Sequence, residues 1–310
     1  MSNGERLADP TSFPDKRLIG VGDRIDAYDG GLDALLNPPP ADIPTGFPTL
    51  DLLMNGGLRN GELMYIGART SVGKSAFISQ LALNAARQGK TVGYFSLEMA
   101  FPQIFRRMVC SLAGVALPRL LRKELQEDDL QKLARATEEL RDMPLKIDDR
   151  SDLSAKTLRA VYKATKPDLV VIDYLQLMAS SDSRSLEVSN ISRNLHLLSK
   201  DDQVPVVALC QLNRQAEDKE VPQLSHLRES GSLEQDAQIV ALMFRAPDEE
   251  KLSTDGDYTS IYMNLPKNRD GILGLAHFRF YGARMLFVDT PPQAADLTFK
   301  AETAEEDIKF

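Results

Sequence analysis

The sequence predicts an α/β fold organised around a mostly parallel sheet, with an antiparallel hairpin near the C-terminus. Three observations carry this. From Ile43 onward, short apolar runs alternate with segments of helical period, the pattern of strands and helices wound into one sheet. One run, Leu63–Ile66, leads into a small-residue loop, then Lys74-Ser75 and a helix, which is the layout of a phosphate-binding P-loop. Near the end, Leu275–Tyr281 and Met285–Val288 flank Gly282, two strand-like runs around a turn residue.

Residues 1–42 are polar and turn-rich and close on Asn37-Pro38-Pro39-Pro40, an extended linker. Within them Val21, Ile25, Leu32, Leu35 and Leu36 outline a short amphipathic helix over Ile19–Leu36, interrupted by Gly30-Gly31. Prolines detach it from the core, so it either docks on a neighbouring subunit or stays a tail. After the P-loop, Phe77, Leu81 and Ala85 recur every four residues until Gly89 ends the helix. Further strands are expected at Thr91–Leu97, Leu169–Asp173, Val204–Gln211, Gln238–Phe244 and Ser260–Asn264. Helices lie between them, including Leu130–Asp142 and Leu186–Lys200; in the latter Val188, Ile191, Leu195 and Leu198 share one face. Residues 291–310 are mainly acidic and read as a solvated tail. There is no internal repeat, so residues 43–290 read as one domain.

Composition excludes several classes. Of 310 residues, 43% are hydrophobic and 26% charged, as in ordinary globular proteins. No apolar run approaches the roughly 18 residues that span a bilayer, and no membrane partner is expected. The first residues lack the basic and apolar regions of a secretion signal. The two cysteines, Cys110 and Cys210, sit in apolar surroundings and suit a reduced cytoplasm. His196, His226 and His277 show no ligand spacing. A net charge of −8 argues against coating nucleic acid through a broad basic surface. It leaves open a strand gripped in a narrow channel.

The P-loop residues are Ala68, Arg69, Ser71, Val72, Gly73, Lys74, Ser75 and Ala76. Backbone N–H groups there would wrap nucleotide phosphates, helped by the positive end of the helix. Lys74 would reach the β- and γ-phosphates and the Ser75 hydroxyl would ligate Mg²⁺. The strict motif wants glycine where this chain has Ala68. Such a site also needs a carboxylate at another strand end, and Leu169-Val170-Val171-Ile172-Asp173 supplies it for the metal. Glu98, just past the strand that follows the P-loop helix, is placed to orient the attacking water; alternatively it opens the helix over Met99–Val109. Gln211, at a third strand end, can hydrogen-bond the γ-phosphate and register its loss.

The series Ala68–Ser75, Ser96-Leu97-Glu98-Met99, Val171–Met178, Gln211-Leu212-Asn213-Arg214, Leu227–Ala237 and Lys267-Asn268-Arg269-Asp270-Gly271 resembles the ATPase domain of DnaB-type replicative helicases, in that family's order and spacing from about Ile43 to Val288. Alanine at position 68 is a common form there. The resemblance implies a RecA-like P-loop core, ATP and Mg²⁺ as nucleotide and metal, and a homo-oligomer, a hexameric ring. It makes Glu98 the activator of water and Gln211 the γ-phosphate sensor. Lys267 and Arg269 become cations that reach into a neighbour's nucleotide site, although on residues alone they are two surface charges before Gly271. Pro266 is a local departure that removes a backbone donor beside them. Arg228, Glu229 and Gly231 match the loop that holds single-stranded DNA in the central channel; unaided, Arg228-Glu229 reads as a surface salt bridge.

The implied function is ATP-driven movement along single-stranded DNA, 5′ to 3′, unwinding forked duplex DNA, with a primase or helicase loader as further partners. The forty or so residues before the core are too few for the family's separate N-terminal domain. The chain therefore resembles a minimal form such as a phage or plasmid would encode, acting in the bacterial or host cytoplasm. The rival reading is a RecA-like recombinase or strand-binding ATPase that assembles on DNA without unwinding it. A third is a non-motor regulator that binds ATP without strand displacement.

Overall fold

In the computed structural model the described residues are 21–22, 36, 40–179, 184–213, 221–227, 230–245 and 258–291, with backbone only for 184, 185 and 230. The chain divides into two units, residues 1–40 and 41–310. The sheet and its helices belong to the second. Most of the helix expected over Ile19–Leu36 lies outside the described residues.

Nine strands form one sheet: Leu63–Ala68 (β1), Val92–Ser96 (β2), Leu145–Asp148 (β3), Leu169–Asp173 (β4), Val206–Gln211 (β5), Ile239–Phe244 (β6), Thr259–Asn268 (β7), Gly274–Tyr281 (β8) and Leu286–Asp289 (β9). Their order is β3-β2-β4-β5-β1-β6-β7-β8-β9. From β3 to β6 every neighbour is parallel, and β7, β8 and β9 extend the sheet antiparallel. The described helices are Pro48–Leu53 (α1), Lys74–Arg87 (α2), Phe101–Ala113 (α3), Leu117–Arg122 (α4), Glu127–Asp142 (α5), Ala155–Thr165 (α6), Arg184–Asp202 (α7) and Ser230–Asp236 (α8).

Side-chain alternation along the parallel strands divides the core in two. Met64, Ile66 and Ala68 of β1 face α2, where Phe77, Ile78 and Leu81 are fully buried. Leu63 and Tyr65 face the other layer, with Leu158 of α6 and Val188, Ile191 and Leu195 of α7. Burial on both faces explains why these strands are apolar throughout and show no alternation in sequence. In β7 and β8 the buried side chains are Ile261, Met263, Leu265, Ala276, Phe278 and Phe280, all in the first core, and Gly274 is buried in line with them. Their intervening residues are half-buried or exposed, so alternation appears there.

The α/β class, the mostly parallel sheet and the antiparallel C-terminal strands agree with expectation, and several limits moved. The strand over Val204–Gln211 begins at Val206, after Pro205, which has no N–H to donate. The strand expected at Ser260–Asn264 extends over Thr259–Asn268 and runs antiparallel to β6, so the antiparallel part is wider than a hairpin. Strand β3 was not anticipated: four residues at the sheet's edge, only partly buried, carry too little apolar signal. Helix α5 starts before Leu130 because Asp129 accepts the Gln126 N–H at 2.9 Å and closes its first turn.

Register brings the strand ends that matter to one edge. Ser96 pairs with Asp173, Ile172 with Ala208, and Ala68 with Gln211. The carboxyl ends of β2, β4, β5 and β1 are therefore neighbours, where open α/β sheets bind ligands.

Candidate nucleotide site

Strand β1 ends at Ala68, whose side chain is buried in the first core. This is why alanine fits where the strict motif has glycine: the position is still strand. The chain then turns through Ser71, at φ +64°, and Gly73, at φ +105°. Gly73 is the N-cap of α2, and no side chain caps that helix. The first N–H groups of α2, which have no partner within the helix, are left for an anion. Glycine is required at 73 on two counts. Its φ is left-handed, and a Cβ there would lie 3.0 Å from Phe287 and 3.2 Å from Phe280.

Lys74 and Ser75 follow as the first residues of α2. The Lys74 ammonium sits 5.3 Å from the centre of the Tyr174 ring. Burial lowers the Lys74 pKa, while Asp173 and Glu98 oppose that shift. Asp173, the last residue of β4, is fully buried. Neither carboxylate oxygen has a hydrogen-bond partner. Burial raises its pKa to about 6; the Ser75 hydroxyl is the main opposing influence and Glu98 adds to the rise. Ser75 thus lies beside the carboxyl without closing a hydrogen bond of normal geometry. The Asp173–Tyr174 peptide bond is cis.

Glu98 stands beside this group. The Ser96 hydroxyl donates to the Met99 carbonyl at 2.7 Å and accepts the Met99 N–H at 3.2 Å, closing a bend that leaves Glu98 exposed. The Leu97 N–H donates to the Asp173 carbonyl at 2.8 Å, fastening the bend to β4. Gln211 closes the row at the end of β5, beside Ala68, and its N–H donates to Gln176 Oε1 at 3.2 Å. Lys74, Ser75, Glu98, Asp173 and Gln211 therefore converge on one edge of the sheet.

The donor set fits Mg²⁺. Two orphaned carboxylate oxygens and a hydroxyl at a helix N-terminus are hard oxygen donors in a buried site. Among the described residues no group of three or more His, Cys, Asp or Glu could hold a metal. The ion would then share Ser75 and Asp173 with phosphate oxygens.

Three contributors went unassigned in sequence. Gln176 meets the Gln211 backbone, Tyr174 lies beneath Lys74, and Arg245, after β6, donates to the Ser71 carbonyl at 2.5 Å. Arg69 donates to the Leu212 carbonyl at 3.1 Å, so its guanidinium ties the loop to the end of β5. Only the strand order shows that 174, 176 and 245 border residues 69–75.

Lys267 and Arg269 are not at this edge. Lys267 pairs with Val240, whose partner on β1 is Tyr65, three residues before Ala68. That is about 10 Å down the strand and two strands across, each roughly 4.8 Å. Both cations point to the last turn of α8: Lys267 Nζ donates to the Glu234 carbonyl, and Arg269 donates to the Gln235 carbonyl at 3.4 Å. Pro266 lies in a bulge, since Val240–Leu242 of β6 faces Lys267–Asn264 of β7, one residue longer. Its missing N–H falls where the ladder is already interrupted. Of the expected strand-contact residues, Gly231 is exposed in the first turn of α8. Arg228 and Glu229 lie outside the described residues.

Residues 42–289 match the family described as DnaB-like helicase C terminal domain. The chain is 38% identical over 259 residues to the replicative DNA helicase DnaC of Bacillus subtilis (strain 168), a match covering 80% of this chain and 56% of that protein. The chain thus spans about half the length of the curated relatives it matches. A solved structure described as an ATPase domain superposes with a TM-score of 0.74 at 30% identity, covering 87% of this chain and 96% of that one. A solved DnaB-like replicative helicase, studied with its interactions with primase, gives a TM-score of 0.74 at 31% identity, covering 87% and 65%. On sequence and on RecA-like fold alike, this chain belongs to the family of DnaB-like helicase C-terminal domains.

Proposed function

We propose that the protein is an ATP-hydrolysing ring motor, a hexamer that moves along single-stranded DNA and unwinds forked duplex. One observation carries the reading. Each subunit assembles the phosphate, metal and water-orienting groups at one sheet edge, while Lys267 and Arg269 sit toward the amino ends of the parallel strands, away from its own P-loop. A neighbouring copy can receive them.

In this reading, Lys74 and the N–H groups of α2 hold the β- and γ-phosphates, and Ser75 and Asp173 hold Mg²⁺. The ion, when bound, neutralises charge developing on the phosphate oxygens. Glu98 accepts hydrogen bonds from the attacking water and aligns it with the γ-phosphate. Arg269 and Lys267 of an adjacent subunit offset the transition-state charge, so hydrolysis proceeds only across a closed interface. Gln211 bonds the γ-phosphate and, through Leu212, which bridges to Leu227, reaches the segment ending at Gly231. That segment grips strand phosphates without reading bases. A primase or a loader would engage the assembled ring.

The test is an unwinding assay on forked DNA with a 5′ or a 3′ tail, run beside Glu98→Ala. ATP-dependent strand displacement with one tail polarity is expected, and Glu98→Ala should lower turnover about 10²- to 10⁴-fold while nucleotide binding persists. ATP-driven assembly on DNA without displacement would instead support the recombinase reading.

A further inference from the structure

We propose that Asp236, braced by Ser192 and Tyr65, is a positioning residue that sets where Lys267 and Arg269 stand. This rests on the reading of those two cations as groups delivered to a neighbouring subunit.

The brace is a chain of hydroxyls through the core. Tyr65 is fully buried on β1, where a phenylalanine would fill the same space. Its hydroxyl donates to Ser192 Oγ at 3.0 Å, and Ser192, also fully buried, donates to Asp236 Oδ2 at 2.7 Å. Buried hydroxyls need partners, and a chain that ends on a carboxylate is polarised along its length. Asp236 is the last residue of α8, at the negative end of the helix, where a carboxylate is disfavoured unless cations meet it. Arg193 approaches its other oxygen at 3.8 Å, from an exposed position.

The cations that meet this helix end are the two in question. Lys267 and Arg269 take the Glu234 and Gln235 carbonyls of the same last turn. Burial and Arg269 lower the Lys267 pKa, and Glu234, followed by Asp236, opposes that shift. The Arg269 backbone N–H is held by the Gln238 carbonyl at 3.2 Å, just beyond the helix. A second hydroxyl pair, Ser189 with Ser232 at 2.9 Å, fastens the first turn of α8 to α7. Helix α8 is therefore pinned at both ends, and its last residue is joined through Ser192 of α7 to the strand that carries the P-loop. The stance of the neighbour-directed cations is tied in this way to β1 of their own subunit. Gly231 lies in the same short helix, so displacement at the strand-contact segment is transmitted to the seat of the cations.

The experiment compares the full-length protein with Asp236→Asn, Ser192→Ala and Tyr65→Phe, each checked for an unchanged thermal unfolding profile. Hydrogen exchange with a non-hydrolysable ATP analogue should show faster exchange at residues 267–270 in Asp236→Asn and Ser192→Ala, with peptides of β1, β4 and β5 unchanged. Strand-stimulated kcat should fall about tenfold, with nucleotide affinity within twofold. In a Lys267→Ala background, Asp236→Asn should add less than twofold. Unchanged exchange at 267–270, or an equal loss in both backgrounds, would overturn the positioning role. Loss of protection at 267–270 in a protein whose Lys267→Ala and Arg269→Ala forms hydrolyse ATP normally would keep the positioning role and reject the delivered-cation reading. If Asp236→Asn does not fold, Tyr65→Phe, which removes one hydroxyl, carries the same exchange test.

Discussion

Asp173 holds two buried carboxylate oxygens without a partner, and burial raises its pKa from 3.8 to about 6. For an acid raised in the folded state, protonation favours the fold. The penalty is absent below about pH 4, grows as the pH rises through 4 to 6, and is complete above that. Two pKa units at about 1.4 kcal/mol each amount to on the order of 3 kcal/mol. Asp173→Asn should therefore raise the Tm of the nucleotide-free, metal-free protein at pH 8 and change it little at pH 4. A lower Tm at pH 8 would contradict this account. The same variant should bind ATP with a weakened response to added Mg²⁺, measurable by titration calorimetry. Lys74 shows the complementary effect, its pKa lowered by burial, and Lys74→Ala should abolish ATP turnover.

Helix α2 couples the site to the core. Phe77 stacks on Phe47 at 4.7 Å and meets Phe278 and Phe287 edge-on at 5.4 and 5.3 Å. One turn on, the Gln80 amide grips the Phe287 backbone, accepting its N–H at 2.7 Å and donating to its carbonyl at 2.8 Å. The P-loop helix is thus held by the sheet's outermost antiparallel strand. Phe77→Ala should cost about 3–5 kcal/mol in urea unfolding and weaken nucleotide binding only through stability. Gly73→Ala should act differently. A left-handed φ and a Cβ at 3.0 Å from Phe287 disturb the N-terminus of α2 itself, so ATP affinity should fall at temperatures where the variant remains folded. Equal affinity in folded Gly73→Ala would mean that the α2 N-terminus does not bind phosphate.

Across the molecule, a site divided between two subunits, as proposed, would have a direct consequence. Lys74→Ala and Arg269→Ala subunits should each be inactive alone, Arg269→Ala by about 10³-fold or more in kcat with ATP binding retained. Mixed together, they should recover part of the ATPase rate, because some interfaces pair an intact P-loop with an intact Arg269. No recovery in verified mixed rings would exclude delivery in trans. Removing residues 1–40 should abolish ring formation if the segment over Ile19–Leu36 docks on a neighbour, as sizing with multi-angle light scattering would report.

The groups legible in sequence are those set by a few consecutive residues. A strand, a small-residue loop and Lys74-Ser75 specify a phosphate site because backbone geometry and helix polarity act over a single turn. Asp173 was legible because four apolar residues must be buried and the acid that follows must then emerge at the strand's carboxyl end. Arg245, Gln176 and Tyr174 were not, since no local pattern says that β6 lies beside β1 or that β4 lies just beyond β5 on its other side. Nor did Pro266 announce a bulge, which depends on which strand faces it. By itself, then, the sequence determined the strand–loop–helix of the P-loop, the acid that ends β4 and the alternating architecture, all consequences of short-range patterning. Only the tertiary structure decided that Lys267 and Arg269 are seated on α8, toward the amino ends of the parallel strands. Strand order and register are set by packing among distant segments, and they separate these cations from the P-loop of their own chain.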